Sequence, residues 1–72
     1  MLAENPRVTE LKPYKGFRIV KTETFSNWGK YVSYDAFREI QGYINDYVSE
    51  TNLKKCKQEI DFIIQEDLYN EL

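Results

Sequence analysis

The side chains that could do chemistry in this chain are few. Histidine is absent and Cys56 is the only cysteine. A nucleophilic thiol or hydroxyl is usually paired with a base, most often histidine. A zinc site usually draws three or four ligands from cysteine and histidine. Neither set is available here, so no catalytic residue, cofactor or metal is expected. Cys56 falls on an apolar helical stripe, where a free cysteine behaves as a small buried hydrophobe. The opposing reading is an exposed thiol activated by the nearby Lys54, Lys55 and Lys57. Two carboxylate pairs, Glu66–Asp67 and Asp46–Glu50, have the composition for acid–base work, but both fall on expected helix surfaces, where carboxylates are solvated. The three glycines stand singly at 16, 29 and 42, so there is no glycine-rich phosphate loop. An enzyme is therefore not expected.

Binding chemistry is better represented. Lys15, Arg18, Lys21 and Lys30 are interleaved with Tyr14, Phe17, Trp28 and Tyr31. Aromatics on a basic sheet can stack unpaired bases while cations hold phosphates. Against that, one face of any such sheet must be the core, and the sequence pI of about 5.0 is far from the basic footprint of dedicated nucleic-acid binders. Tryptophan, tyrosine and arginine are also the usual anchors of protein interfaces. On that reading Trp28 is the foremost candidate, followed by Tyr14, Tyr31 and Tyr69. The structural alternative for Trp28 is that it folds back as a lid on a thin core.

Composition sets the limits within which these residues must be placed. The chain has 72 residues, which is one domain, and its core contributes about 3–5 kcal/mol unless something staples it. The 42% hydrophobic content argues against disorder, which needs low hydrophobicity and high net charge. A single cysteine suits a reducing compartment. No apolar run approaches membrane-spanning length, and the N-terminus lacks the pattern of a signal peptide. A cytoplasmic location is expected, with no membrane partner. Net charge is −2 but unevenly spread: residues 1–34 carry six bases against three acids, and residues 35–72 carry four against nine.

The elements that would position the candidates read as follows. Residues 1–13 form an arm, or a short edge strand over Val8–Leu11 that Pro13 ends. Residues 14–72 form the domain proper. Tyr14–Thr24 alternates with β-branched and aromatic residues, as a strand does, with Gly16 marking a bulge or a close backbone approach. Phe25–Gly29 supplies turn chemistry, and Lys30–Tyr34 resumes the alternation to close a hairpin. Asp35 suits the N-cap of a helix whose stripe is Phe37, Ile40, Ile44 and Val48. Gly42 inside it costs about 1 kcal/mol and is explained by close helix–sheet contact. Thr51 or Asn52 caps a second helix with the stripe Leu53, Cys56, Ile60, Ile63, Ile64 and Leu68. The expected fold class is α+β: a two- or three-stranded antiparallel sheet packed against two α-helices, in the order β-β-α-α.

The second helix has two further properties. Its lysines come early and its acids late, the reverse of what the helix dipole favours. Phe62 and Tyr69, seven apart, add an apolar strip to the core-facing one, so the apolar positions cover more than a helix packed on one sheet needs; either the hairpin and first helix surround this helix, or it carries a second apolar surface for a homodimer.

The runs Lys15-Gly16-Phe17-Arg18-Ile19, Lys30-Tyr31-Val32-Ser33-Tyr34-Asp35 and Phe37-x-x-Ile40-x-x-Tyr43-Ile44-x-Asp46 resemble small proteins of bacteriophages, prophages and plasmids. The resemblance covers about residues 14–48. It implies a hairpin followed by a short helix and an accessory or host-modulating role. The second helix lies outside it, and no functional residue carries over. Taken together, these readings lead to the expectation of a small non-enzymatic protein-interaction or regulatory module, a mobile-element accessory or inhibitor that binds a protein partner. The alternative is a nucleic-acid binder that uses the basic aromatic hairpin.

Overall fold

The computed structural model describes residues 6–70. It is an antiparallel four-stranded meander followed by one helix: β1 (Arg7–Glu10), β2 (Arg18–Ser26), β3 (Gly29–Ile40), β4 (Tyr43–Glu50) and α1 (Leu53–Asn70). The strands lie in the sheet in chain order. The expected α+β class holds, but the sheet has four strands instead of two or three, and there is one helix instead of two.

The correction falls on residues 35–50. The segment expected as the first helix is the second half of β3 and all of β4, paired from Tyr34↔Glu50 to Ile40↔Tyr43. Between them Gln41 and Gly42 take φ of 56° and 85°, the two left-handed positions of a primed hairpin turn. Gly42 is thus required by its own backbone and not by a neighbour, since a Cβ there would meet nothing within 4 Å. The composition explains the outcome. Tyr34, Phe37, Ile40, Tyr43, Ile44, Tyr47 and Val48 are β-branched or aromatic, and such residues fit a pleated surface. Their helical spacing is coincidental, because apolar residues occupy both faces of the sheet. Asp35 is no N-cap; it lies within β3. A register shift after Arg38 pairs Glu39 with Ile44 and Arg38 with Asp46, leaving Asn45 as the extra residue of a bulge.

The rest follows the sequence more closely. The expected edge strand exists as β1, paired with β2 from Arg7↔Glu23 to Glu10↔Val20; the first five residues of the expected N-terminal arm lie outside the described residues. Gly16 marks neither a bulge nor a close approach. Lys15 and Gly16, at φ 51° and 87°, form a second primed turn, closed by reciprocal Tyr14 and Phe17 backbone hydrogen bonds of 2.9 Å. Asn52 caps α1: its Oδ1 accepts from the backbone N–H of Lys54 at 2.8 Å and Lys55 at 3.2 Å, satisfying two of the donors a helix start leaves free.

Strand alternation puts Ile19, Ala36 and Val48 side by side on one face, because Ile19 pairs Ala36 and Ala36 pairs Val48. With Phe17 they meet Cys56 and Ile60 of α1 to form the buried core. Leu11, Tyr14, Tyr34, Leu53, Ile63 and Ile64 pack around it. Leu68, expected in the helical stripe, is instead exposed. Among the described residues no helix covers the opposite face of the sheet. There Arg18 lies over the Phe37 ring at 5.5 Å, and Asp35 accepts the Tyr47 hydroxyl at 2.9 Å.

Candidate functional site

The sheet is not rectangular. β1 pairs β2 only as far as Glu23, and β4 pairs β3 only as far as Tyr34, whereas β2 and β3 continue to pair each other out to Ser26↔Gly29. The last part of this hairpin is a two-stranded arm. From Val32, opposite the last β1-paired residue Glu23, to Gly29 it overhangs the rest of the sheet by about 10 Å, at roughly 3.3 Å per residue, in a molecule measuring 55 × 25 × 17 Å.

The arm ends in Ser26-Asn27-Trp28-Gly29. Ser26 Oγ accepts the Trp28 backbone N–H at 3.2 Å and donates to the Gly29 carbonyl at 3.2 Å. A serine spanning its own turn in this way replaces hydrogen bonds the strands no longer supply. Gly29 takes φ 135°. Held on this turn, Trp28 is 96% exposed. It does not fold back on the core. An indole left almost wholly in water gives up the burial that a large aromatic usually obtains, so the fold gains nothing from tryptophan at this position. Tyr31, 74% exposed, stands on the same arm, beside a shallow groove of about 190 Å3 lined by Thr22, Thr24, Tyr31, Val32 and Ser33.

The other aromatic candidates are elsewhere. Tyr14 is half-buried at the opposite end of the sheet. Its hydroxyl donates to Asp61 of α1 at 3.0 Å, and the Lys57 ammonium lies 5.1 Å from its ring centre. It fastens the β1–β2 connection to the helix. Tyr69 is exposed near the end of α1. Trp28 and Tyr31 thus share the β2–β3 arm, and Tyr14 and Tyr69 lie away from it.

The basic candidates are dispersed and largely neutralised. Lys15 pairs with Asp61 at 2.8 Å. Arg18 is held by Glu10 at 2.9 Å and Glu39 at 3.4 Å. Lys30 pairs with Glu23 at 3.2 Å. Arg18 and Lys21 point to opposite faces, being three apart on one strand, and the Lys21 ammonium sits 6.0 Å from the Tyr34 ring. These contacts show in the titration of the groups. The Lys30 hydrogen bond, against the smaller opposing effect of desolvation, holds Glu23 below the usual carboxylate range. Arg18 does the same to Glu10, and Lys15 with Tyr14 to Asp61. Glu59 moves the other way, raised by the neighbouring Glu50 carboxylate.

The groups capable of covalent or acid–base chemistry are placed accordingly. Cys56 is fully buried, and burial pushes its thiol up from the ordinary value, the opposite of an activated nucleophile. The two carboxylate pairs do not act as pairs. Asp46 and Asp67 both converge on Arg38, Asp67 at 2.8 Å, and the Arg38 guanidinium lies 5.0 Å from the Phe17 ring. This cluster ties β3, β4 and α1 together, and it was not readable beforehand because Arg38 and Asp67 are far apart in sequence. Among the described residues no three His, Cys, Asp or Glu side chains group as a metal site, and no helix is long and apolar enough to cross a membrane. No protein-family model, curated protein or solved structure matches the chain.

Proposed function

We propose that this protein is a non-enzymatic interaction module that engages a protein partner through the tip of the β2–β3 arm, with Trp28 as the anchor and Tyr31 as its support. The observation that carries the reading is the 96% exposure of Trp28 on an ordered turn beyond the body of the domain. Tryptophan contributes most to binding when it enters an apolar pocket on a partner. A narrow two-stranded arm can present it to a recessed site. The internal pairing of Lys15, Arg18 and Lys30 favours a protein partner over nucleic acid, since those cations already have counter-ions. The resemblance over residues 14–48 supports an accessory or inhibitor protein of a mobile element, although the helix it implies after Asp35 is strand here. The lone buried thiol suits a reducing, cytoplasmic setting.

The test is a capture experiment from the native host with the wild-type chain and Trp28→Ala in parallel, with circular dichroism to verify the fold. A hot-spot tryptophan is worth at least about 2 kcal/mol, or roughly thirtyfold in affinity, so the variant should lose the captured protein while its spectrum stays native. Equal capture by both proteins would refute the assignment of Trp28. Titration with oligonucleotides at low salt tests the alternative: binding with a steep salt dependence would favour it.

A further inference from the structure

Helix α1 has an unpartnered outer face. At 100° per residue, Phe62 and Tyr69 lie on the side opposite Cys56 and Ile60, and they are 61% and 77% exposed. With Gln65 and Glu66 they line a shallow concavity of about 250 Å3. Lys55 lies on the same face, seven residues before Phe62, as Tyr69 lies seven after it. The helix has no acid in its first turn and no base in its last, a layout that opposes its own dipole.

We propose that two copies of this chain pair through this face as an antiparallel homodimer with Phe62 on the two-fold axis. The charge layout selects both the occupant and the direction. With Phe62 against Phe62 of the second copy, Lys55 stands opposite Tyr69 of that copy and one helical turn from its Glu66. The ammonium can therefore lie over the phenol ring and pair with the carboxylate, and symmetry makes each contact twice. A parallel pair would set lysines against lysines and acids against acids. In the antiparallel pair, the acidic end of each helix lies beside the basic, dipole-positive start of the other, which offsets the inverted layout. One helix pair is a small interface, so dissociation is expected on the order of tens of micromolar.

Sedimentation equilibrium of the full chain, from about 5 µM to 1 mM, reads this directly through mass action. The mass should rise from that of the 8.6 kDa monomer towards the dimer. Phe62→Glu should keep it monomeric with an unchanged dichroism spectrum, because Phe62 supports no core contact. Lys55→Glu and Glu66→Lys should each weaken the dimer about tenfold, in line with the loss of a paired charge at an interface, and the double variant should recover most of that loss. Trp28→Ala should leave the dimer intact, so this inference stands or falls separately from the arm. A chain that stays monomeric throughout, a dimer indifferent to Phe62→Glu, or a double reversal no better than the single ones would each overturn the proposal.

Discussion

Replacing Gly42 with alanine should destabilise the protein by about 1–2 kcal/mol, the cost of holding an L-residue in the left-handed region. The magnitude is purely conformational. Gly42 has φ 85°, and a Cβ built there meets nothing within 4 Å, so no steric clash adds to it. If residues 36–48 were instead a helix, the same substitution would stabilise by about 1 kcal/mol, the propensity difference between glycine and alanine. The two folds thus predict opposite signs. Chemical denaturation followed by far-UV circular dichroism is the suitable assay; fluorescence is a poor probe because Trp28 is already exposed in the folded state. In a domain of this size, 1 kcal/mol corresponds to roughly 4–8 °C in Tm, well above measurement error. Gln41→Asn supplies the internal control: asparagine tolerates the left-handed position better, so stability should rise by a few tenths of a kcal/mol or more. An alanine variant as stable as the parent, or more stable, would refute the hairpin.

Three other outcomes follow from the packing and the ion pairs. Ile60→Ala removes a fully buried side chain from the centre of the core and should cost about 2–5 kcal/mol, enough to leave the domain largely unfolded at room temperature; a thermal midpoint within a few degrees of the parent would contradict the core described. Cys56 should react with a disulfide reagent only as fast as the protein opens, since its thiol is buried and raised; immediate labelling in native buffer would place it at the surface. Asp61, Glu10 and Glu23 titrate below their ordinary range in the folded state, so the unfolded chain binds more protons as pH falls. Their stabilisation is present above pH ~4 and is lost as pH drops through the folded values. Glu59 is raised, so its contribution is present below its unfolded value and is lost as pH rises through the folded one. Asp61→Asn should therefore shallow the acid limb of a stability–pH curve, and Glu59→Gln should raise Tm at neutral pH more than near pH 4.

How much of this could be read beforehand depended on whether a segment's pattern fitted one period only. Residues 17–34 alternate cleanly around a turn of Ser, Asn and Gly, and the hairpin was legible with Trp28 at its tip. Leu53–Ile64 repeats at three and four behind Thr51 and Asn52, either of which can cap, so the start of α1 was legible to within a residue. Residues 35–50 satisfy two periods at once. Phe37, Ile40, Ile44 and Val48 match a helix by position, while their residue types and the Gln41–Gly42 pair match a hairpin. Residue type, not spacing, decides the element here. The candidate side chains suffered from a different limit. Tyr14 and Lys15 reach Asp61 some 46 residues away, and nothing local marks a surface cation as already paired.

The order of the strands has a consequence for how the molecule comes into being. Each strand pairs with the next one along the chain, and at least two of the three hairpins close on tight primed turns. The most distant parts of the sequence are joined by the docking of α1, through the core it forms with Phe17 and Ile19 and through Tyr14–Asp61 and Arg38–Asp67. Loop-closure costs are therefore small for each hairpin and fall mainly on the docking of the helix. The sheet can zip from its turns as soon as they emerge, but its apolar face has no cover until Leu53–Ile64 is available. A nascent chain halted before the helix would thus be a ribbon with Phe17, Ile19, Ala36 and Val48 bare, and the helix is the late step that covers them.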